Sequence, residues 1–207
     1  MIKFTVGITG GSGVGKTTLI NLIKQELGDT ITVFNLDNYY LPKDQQVRDE
    51  NGVINFDLPS ALDTERIKND LQKLRNGESI EQEVYVFNNP NKDRKKITLE
   101  PSSILIIEGL FVMHYDFVRE QLDYSVYISA PQDLQLRRRL KRDMEERNYT
   151  KEDILYQWNK HVLPSYESFL LPYKEKADLI INNAEEFDSN VKVLLNVIHN
   201  CTQLQEN

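Results

Sequence analysis

Residues Gly10 to Thr17 read GGSGVGKT and satisfy the pattern G-x-x-x-x-G-K-[ST]. The segment follows the β-rich run IKFTVGIT and opens the helical pattern TTLINLIKQEL, the context this pattern requires. Glycine lets the backbone curl, so the N–H groups from Gly10 and Gly11 through Ser12, Gly13, Val14 and Gly15 can turn inward onto phosphate oxygens. The helix start at Lys16, Thr17 and Thr18 adds a favourable dipole. Lys16 is placed to reach the β- and γ-phosphates of a nucleotide, and the Thr17 hydroxyl to bind Mg²⁺. A dinucleotide fingerprint fails here, because Lys16 stands where a third glycine would have to follow Gly11 and Gly13. That removes NAD.

Two carboxylates end strand-like runs. Asp37, in FNLDNYY, could close an Asx-turn or cap a helix. Beside a phosphate loop it could instead take the proton of an attacking hydroxyl. Glu108 ends ILIIE, the position of the acidic residue that holds Mg²⁺ directly or through water in such folds. The helical pattern DLQLRRRLKRDMEER sets Leu136, Leu140 and Met144 on one stripe and Arg138, Arg139 and Arg142 on another face. An arginine face can be plainly solvated, or it can close over a polyphosphate. No N-K-x-D follows a strand, and the D-x-x-G at Asp49–Gly52 does not follow an apolar one, which disfavours GTP hydrolysis.

These residues must be carried on a scaffold. Strand-like runs IKFTVGIT, TITVFNLD, SSILIIEG, YSVYISA and DLIINN alternate with helical ones, including DTERIKNDLQKLRN. The alternation predicts an α/β fold of the P-loop NTPase kind: a mostly parallel sheet flanked by helices on both faces. Residues 38–60 make a long irregular excursion from a strand's carboxyl end, where open parallel sheets bind ligands. One domain spanning 1–207 is expected, with a helical lid at about 133–150. The net charge of −7 argues against a nucleic-acid partner bound through overall positive charge. The single cysteine, Cys201, fits a reducing compartment. The N-terminus shows no cleavable signal pattern, and no apolar run nears the about 20 residues that span a bilayer. A cytoplasmic protein without a membrane partner is expected.

With the phosphate loop, Asp37, Glu108 and the arginine helix in this order, the chain resembles the uridine kinase (uridine–cytidine kinase) family from about residue 4 to 183. The resemblance is carried by GGSGVGKTT, LDNYY, NFDLPSALD, VYVF, IIEGL, RRRLKRDMEER and YQWNKHVLPSYESFLLPYKEKADLII. It implies an ATP- and Mg²⁺-dependent kinase of pyrimidine nucleosides and a homo-oligomer, often a tetramer. By position, Asp37 matches the general base on the ribose 5′-hydroxyl. Tyr40, Phe56 and Asp57 match nucleoside-pocket residues, Asp57 toward the ribose hydroxyls, and Tyr85 and Phe87 match the aromatic pair at the base. Arg139 and Arg142 match lid arginines, Arg147 a third that faces phosphate, and Gln157 a nucleoside-contacting glutamine. Aromatic rings suit a flat base and a carboxylate suits a diol, although Tyr85 and Phe87 could equally pack a strand core.

Two departures stand out. The family's Tyr-Asp-Phe with a histidine three residues later reads YVFNNP, with Val86 for the aspartate and Pro90 for the histidine. The lid's Arg-Gly-Arg reads Arg147-Asn148-Tyr149, one positive charge fewer. Kinases of phosphoribulose and pantothenate share the loop and part of the layout. A kinase of another small hydroxyl compound, or a non-catalytic nucleotide-binding module, are the alternative readings.

Overall fold

The computed structural model describes residues 2–88, 95–184 and 187–203. Five parallel strands form the main sheet in the order β2-β5-β1-β6-β7. They are β1 (Phe4–Gly10), β2 (Ile31–Asn35), β5 (Ile104–Glu108), β6 (Tyr124–Ser129) and β7 (Leu179–Asn182). A separate antiparallel pair, β3 (Ile80–Glu83) and β4 (Lys96–Leu99), stands outside it. The helices are α1 (Lys16–Leu27), α2 (Thr64–Arg75), the short α3 (Asp116–Arg119), α4 (Gln132–Arg147), α5 (Lys151–Gln157), the short α6 (Leu163–Ser165) and α7 (Phe187–Gln203). From α5 the chain continues helically through wide π turns at Trp158–Val162 and Tyr166–Leu170, on either side of α6.

Alternate residues of a strand face opposite ways, and β5 shows why this sheet is apolar on both sides. Ile104 and Ile106 join β1, α1 and α7 in one buried cluster, while Leu105 and Ile107 join Phe34 and the α2 residues Ile67, Leu71 and Leu74 in another. The sandwich of helices, sheet and helices follows from that division. Among the described residues no helix is long and apolar enough to cross a membrane.

The register sets the site. Glu108 lies level with Ile8 on one side and Asn35 on the other, so the segments leaving β1, β2 and β5 emerge at one edge. The excursion after β2 is partly ordered by a hairpin: Arg48 bridges Ile54, and Asp49 N–H donates to the Val53 carbonyl.

The helix α4 differs from the usual amphipathic case. Its buried residues are Gln135, Arg139 and Asp143, whereas Met144 of the apolar stripe is 48% exposed. The inward face of α4 meets the phosphate loop instead of an apolar core, and so it is polar.

The tightest backbone approach in the sheet is at Gly10, whose φ is +147° and where an added Cβ would fall 2.3 Å from the Ile128 carbonyl oxygen. Neither backbone can yield without breaking the β1–β6 ladder. Gly10→Ala should therefore destabilise the protein by at least about 2 kcal/mol, read from urea unfolding. Parental stability would show that the two strands separate freely.

Candidate active site

The loop 11–15 wraps from β1 into α1. Gly13 adopts φ +77°, and a Cβ there would sit 2.6 Å from the Gln135 carbonyl, so only glycine lets α4 approach the loop this closely. The Asn183 side-chain amide, just past β7, donates to the Val14 carbonyl from the other side. The side chain of Val14 is core, fully buried in the α1 cluster, which anchors the loop. Lys16 Nζ donates to the carbonyls of Gly10 (2.9 Å) and Gly11 (3.2 Å). Thr17 and Thr18 are exposed at the start of α1.

Asp37 sits in a 3₁₀ turn, Leu36–Tyr39, directly after β2. The cap of that turn is Asn35, whose Oδ1 accepts the Asp37 N–H at 2.7 Å. The capping role considered for Asp37 thus belongs to its neighbour, and the Asp37 carboxylate is left to line the cavity. The Asn35 side chain also hydrogen-bonds Glu108 across the strands. Burial raises the pKa of Asp37 against the pull of Lys16, and burial with the Asp37 charge raises Glu108 to about 7. Burial in turn lowers Lys16, opposed by Glu108 and Asp37. One ammonium therefore serves two carboxylates in a poorly solvated corner.

Opposite this corner, α4 presents its arginines. Asp143 is fully buried, and its carboxylate takes Arg142 Nε at 2.7 Å, Arg139 Nε at 3.3 Å and Arg147 Nη1 at 3.3 Å. Arg139 and Arg142 also reach Ser12 Oγ in the phosphate loop (3.2 and 3.4 Å), and Arg138 reaches the Gly13 carbonyl (3.3 Å). The arginine face is thus no solvated surface. It is aimed at the loop.

The third wall is aromatic. Tyr40, Phe56, Tyr85 and Phe87 form a box, with Tyr85 and Phe87 centroids 4.8 Å apart and Tyr40 within 5.7 Å of the other three. Tyr85 and Phe87 follow β3 and do not pack a strand core. Asp57 is buried beside Phe56 and lies 3.9 Å from Arg139. Gln157 Oε1 accepts from Arg139 Nη2 at 3.1 Å. The Arg147 guanidinium stacks 3.9 Å over the Phe87 ring, joining the arginine cluster to the box.

All of these walls enclose one cavity of about 610 Å³, lined by Ser12, Lys16 and Thr17, by Asp37 and Glu108, by the four rings and by Arg139, Arg142, Arg147 and Gln157. Gly10, Gly11 and Val14 lie behind the lining. The cavity also holds residues that sequence reasoning missed, Asn35, Asn38, Asp143 and His161, and it holds Tyr149, noted in the sequence only as a departure in the lid. The spacing Arg139, Asp143, Arg147 at i, i+4, i+8 was a visible signal for the buried carboxylate. His161 carried none; its Nε2 lies 2.7 Å from Asp49 Oδ2, which also accepts from Tyr156, so the D-x-x-G segment is a structural latch. Tyr149, where the family lid has arginine, hydrogen-bonds Gln157. Val86, between Tyr85 and Phe87 in sequence, is half-buried. Pro90 lies outside the described residues.

Residues 5–189 match the model of the phosphoribulokinase / uridine kinase family. The chain belongs to this family. The uridine kinase of Macrococcus caseolyticus is 37% identical over 183 residues, covering 87% of this chain and 89% of that one. The uridine kinase of Limosilactobacillus reuteri is 35% identical over 182 residues, covering 87% and 84%. Phosphoribulokinase from Rhodobacter spheroides superposes with a TM-score of 0.63 at 14% identity, over 89% of this chain and 73% of that one, a likeness of fold. As a kinase of the phosphoribulokinase / uridine kinase family, the chain transfers a phosphoryl group to a hydroxyl, using a nucleotide and a divalent metal.

The donor set fits such a metal. Thr17 and Glu108 offer hard oxygens, and no cluster of three or more metal-ligating side chains occurs among the described residues. Mg²⁺ characteristically takes one or two protein oxygens and completes its shell with phosphate and water. Bound there, it would neutralise charge on the phosphates. Because burial and the Asp37 charge raise Glu108 to about 7, a metal held there would have to displace a proton below that pH. The Mg²⁺ concentration for half-maximal rate should therefore rise about tenfold per pH unit below pH 7 and level off above it. Glu108→Gln should need more metal throughout and lose that slope; an unchanged Mg²⁺ titration would make Glu108 purely structural.

Proposed function

We propose that the chain transfers the γ-phosphoryl of ATP, as its Mg²⁺ complex, to the 5′-hydroxyl of a pyrimidine nucleoside, giving the monophosphate and ADP. The observation that carries this reading is the four-ring box opening onto Asp37 within the cavity of the phosphate loop. A flat base fits between the rings, and Asp57, next to Phe56, accepts paired hydrogen bonds from a ribose diol. The 5′-hydroxyl then faces Asp37. The relatives named uridine kinase support the same acceptor. In this reading 1–207 acts as one kinase unit, with residues 133–150 as its lid.

The reaction needs one bond made and one broken. The hydroxyl oxygen attacks the γ-phosphorus, the bond from that phosphorus to the bridging oxygen of ADP breaks, and the hydroxyl proton passes to Asp37. Transfer of this kind is mostly positioning and charge stabilisation. Lys16, Arg142 and Arg147 supply the positive charge, and Arg139 with Gln157 holds the acceptor side. Removing the base should leave the donor site standing. Asp37→Asn should cut kcat by about 10²–10⁴ while nucleotide affinity, measured by calorimetry, stays within a few-fold. Equal losses in both would place Asp37 in metal binding or in the fold.

Base selectivity follows from the wall. Neither Val86 nor Pro90 has a side-chain donor for the edge of a pyrimidine. Shape and stacking separate similar bases poorly, so uridine and cytidine should differ in kcat/KM by less than about tenfold, or roughly 1.4 kcal/mol. ADP release measured with uridine, cytidine, adenosine, ribose and pantothenate tests this. Release confined to a non-nucleoside alcohol would transfer the assignment to another small hydroxyl compound, and release with none of them would favour a binding module.

A further inference from the structure

A chain of four hydrogen bonds runs from the acceptor wall into the interior. The Tyr85 backbone N–H donates to Asn38 Oδ1 (3.1 Å), Asn38 Nδ2 to Gln82 Oε1 (3.0 Å), Gln82 Nε2 to the Tyr39 hydroxyl (2.7 Å), and the Tyr39 hydroxyl to Asp70 Oδ2 (2.9 Å). Gln82, Tyr39 and Asp70 are 1%, 2% and 7% exposed, so water does not substitute for these partners. The chain crosses four segments: the loop after β3, the turn after β2, β3 itself and α2.

Every donor in it points the same way. A carboxylate only accepts, and Asp70, flanked by Arg66 and Lys73 at 3.8 and 3.9 Å, therefore commits the Tyr39 proton. Tyr39 remains a donor, since burial and then the Asp70 charge push its hydroxyl well above the ordinary range. Its oxygen must accept from Gln82, which fixes that amide, and Gln82 Oε1 must accept from Asn38, which fixes the next. Turning either amide over would set donor against donor. The orientation that results leaves Asn38 Oδ1 facing the Tyr85 N–H.

We propose that Asn38, Gln82 and Tyr39 are positioning residues for the acceptor, a polarised relay that hangs the Tyr85–Phe87 wall on the turn carrying Asp37 and Tyr40, with Asp70 setting its direction. This rests on the nucleoside reading for its substrate but not for its geometry. Asn38 stands between the base and one ring of the box, so the relay ties the height of the aromatic wall to the reacting carboxylate. Loss of the relay should loosen acceptor binding without touching the phosphate loop.

Tyr39→Phe removes one oxygen and keeps the ring stacked on Phe34 at 5.1 Å. It should speed hydrogen exchange at the Tyr85 amide and raise acceptor KM by about fivefold each, the scale of one neutral hydrogen bond, with kcat and ATP KM within about twofold. Asn38→Ala should do at least as much, and the double variant should be no worse than Asn38→Ala alone, because both changes cut one path. Unchanged exchange at Tyr85 in Tyr39→Phe, or additive effects in the double variant, would overturn the relay. If the unaltered protein phosphorylates no nucleoside, the acceptor reading falls, and the exchange rates by themselves sustain or overturn the relay.

Discussion

The carboxylate of Asp143 is wholly removed from water, yet it lies within reach of three guanidinium groups, all from its own helix and one of them on the residue beside it. Taking one negative charge out of water costs several kcal/mol unless opposite charge and hydrogen bonds replace the solvent. Arg142 Nε supplies a hydrogen bond and Arg139 and Arg147 supply opposite charge, although Asp143 Oδ2 and Arg139 Nε form no hydrogen bond, and the three guanidinium groups are held in turn by a charge that cannot move. Three free arginine side chains would each lose about 2 kcal/mol of rotamer freedom on ordering. Gathering them around one carboxylate meets that cost during folding, before any phosphate arrives. The cluster keeps a net charge of about +2 facing Ser12 and the phosphate loop, which is the preorganised field that phosphoryl transfer requires.

The opposite wall solves the inverse problem. Asp37, Glu108 and Lys16 come together because parallel strands in this register end at one edge, and Asn35 ties the two acidic positions with a single amide. Two carboxylates against one ammonium leave a surplus of negative charge, and burial raises both acids. A divalent cation is what such a corner lacks electrostatically. The cavity is thus divided: a cationic side built on a helix and an acidic side built on strand ends, with the phosphate loop between them.

Much of this was legible from residue order. The phosphate loop, the five main strands and the helices α1, α2 and α4 follow from glycine spacing and hydrophobic period and appear within a few residues of expectation, whereas α7, the longest helix among the described residues, was not read from the sequence. The β3–β4 pair was not legible, since IEQE and KITL are short, half-polar and paired across a long gap. Asp37 could not be separated from a cap until Asn35 was seen to fill that role. The stripe Leu136, Leu140 and Met144 is not the buried face of its helix, which turns its polar side inward because its neighbour is a backbone loop with carbonyls and a serine hydroxyl to satisfy. Asn38 and Gln82 were silent for a different reason. An amide's importance lies in what it joins, and these partners are 43 or more residues apart in sequence.

The aromatic box is built apart from the main sheet. Its rings come from the turn after β2, the excursion that follows and the loop after β3, none of which belongs to the main sheet. The phosphate loop, by contrast, is locked by β1, α1, α4 and Asn183 together. The box and the phosphate loop thus rest on different elements, and the likeness to phosphoribulokinase at 14% identity is one of fold. That separation has a mechanical consequence: the β3–β4 ladder ends with the Val84 N–H on the Lys95 carbonyl, just before Tyr85, so in the relay proposed above the half-buried Asn38 and the buried Gln82 take over where the ladder stops and tie the wall to the turn that carries Asp37.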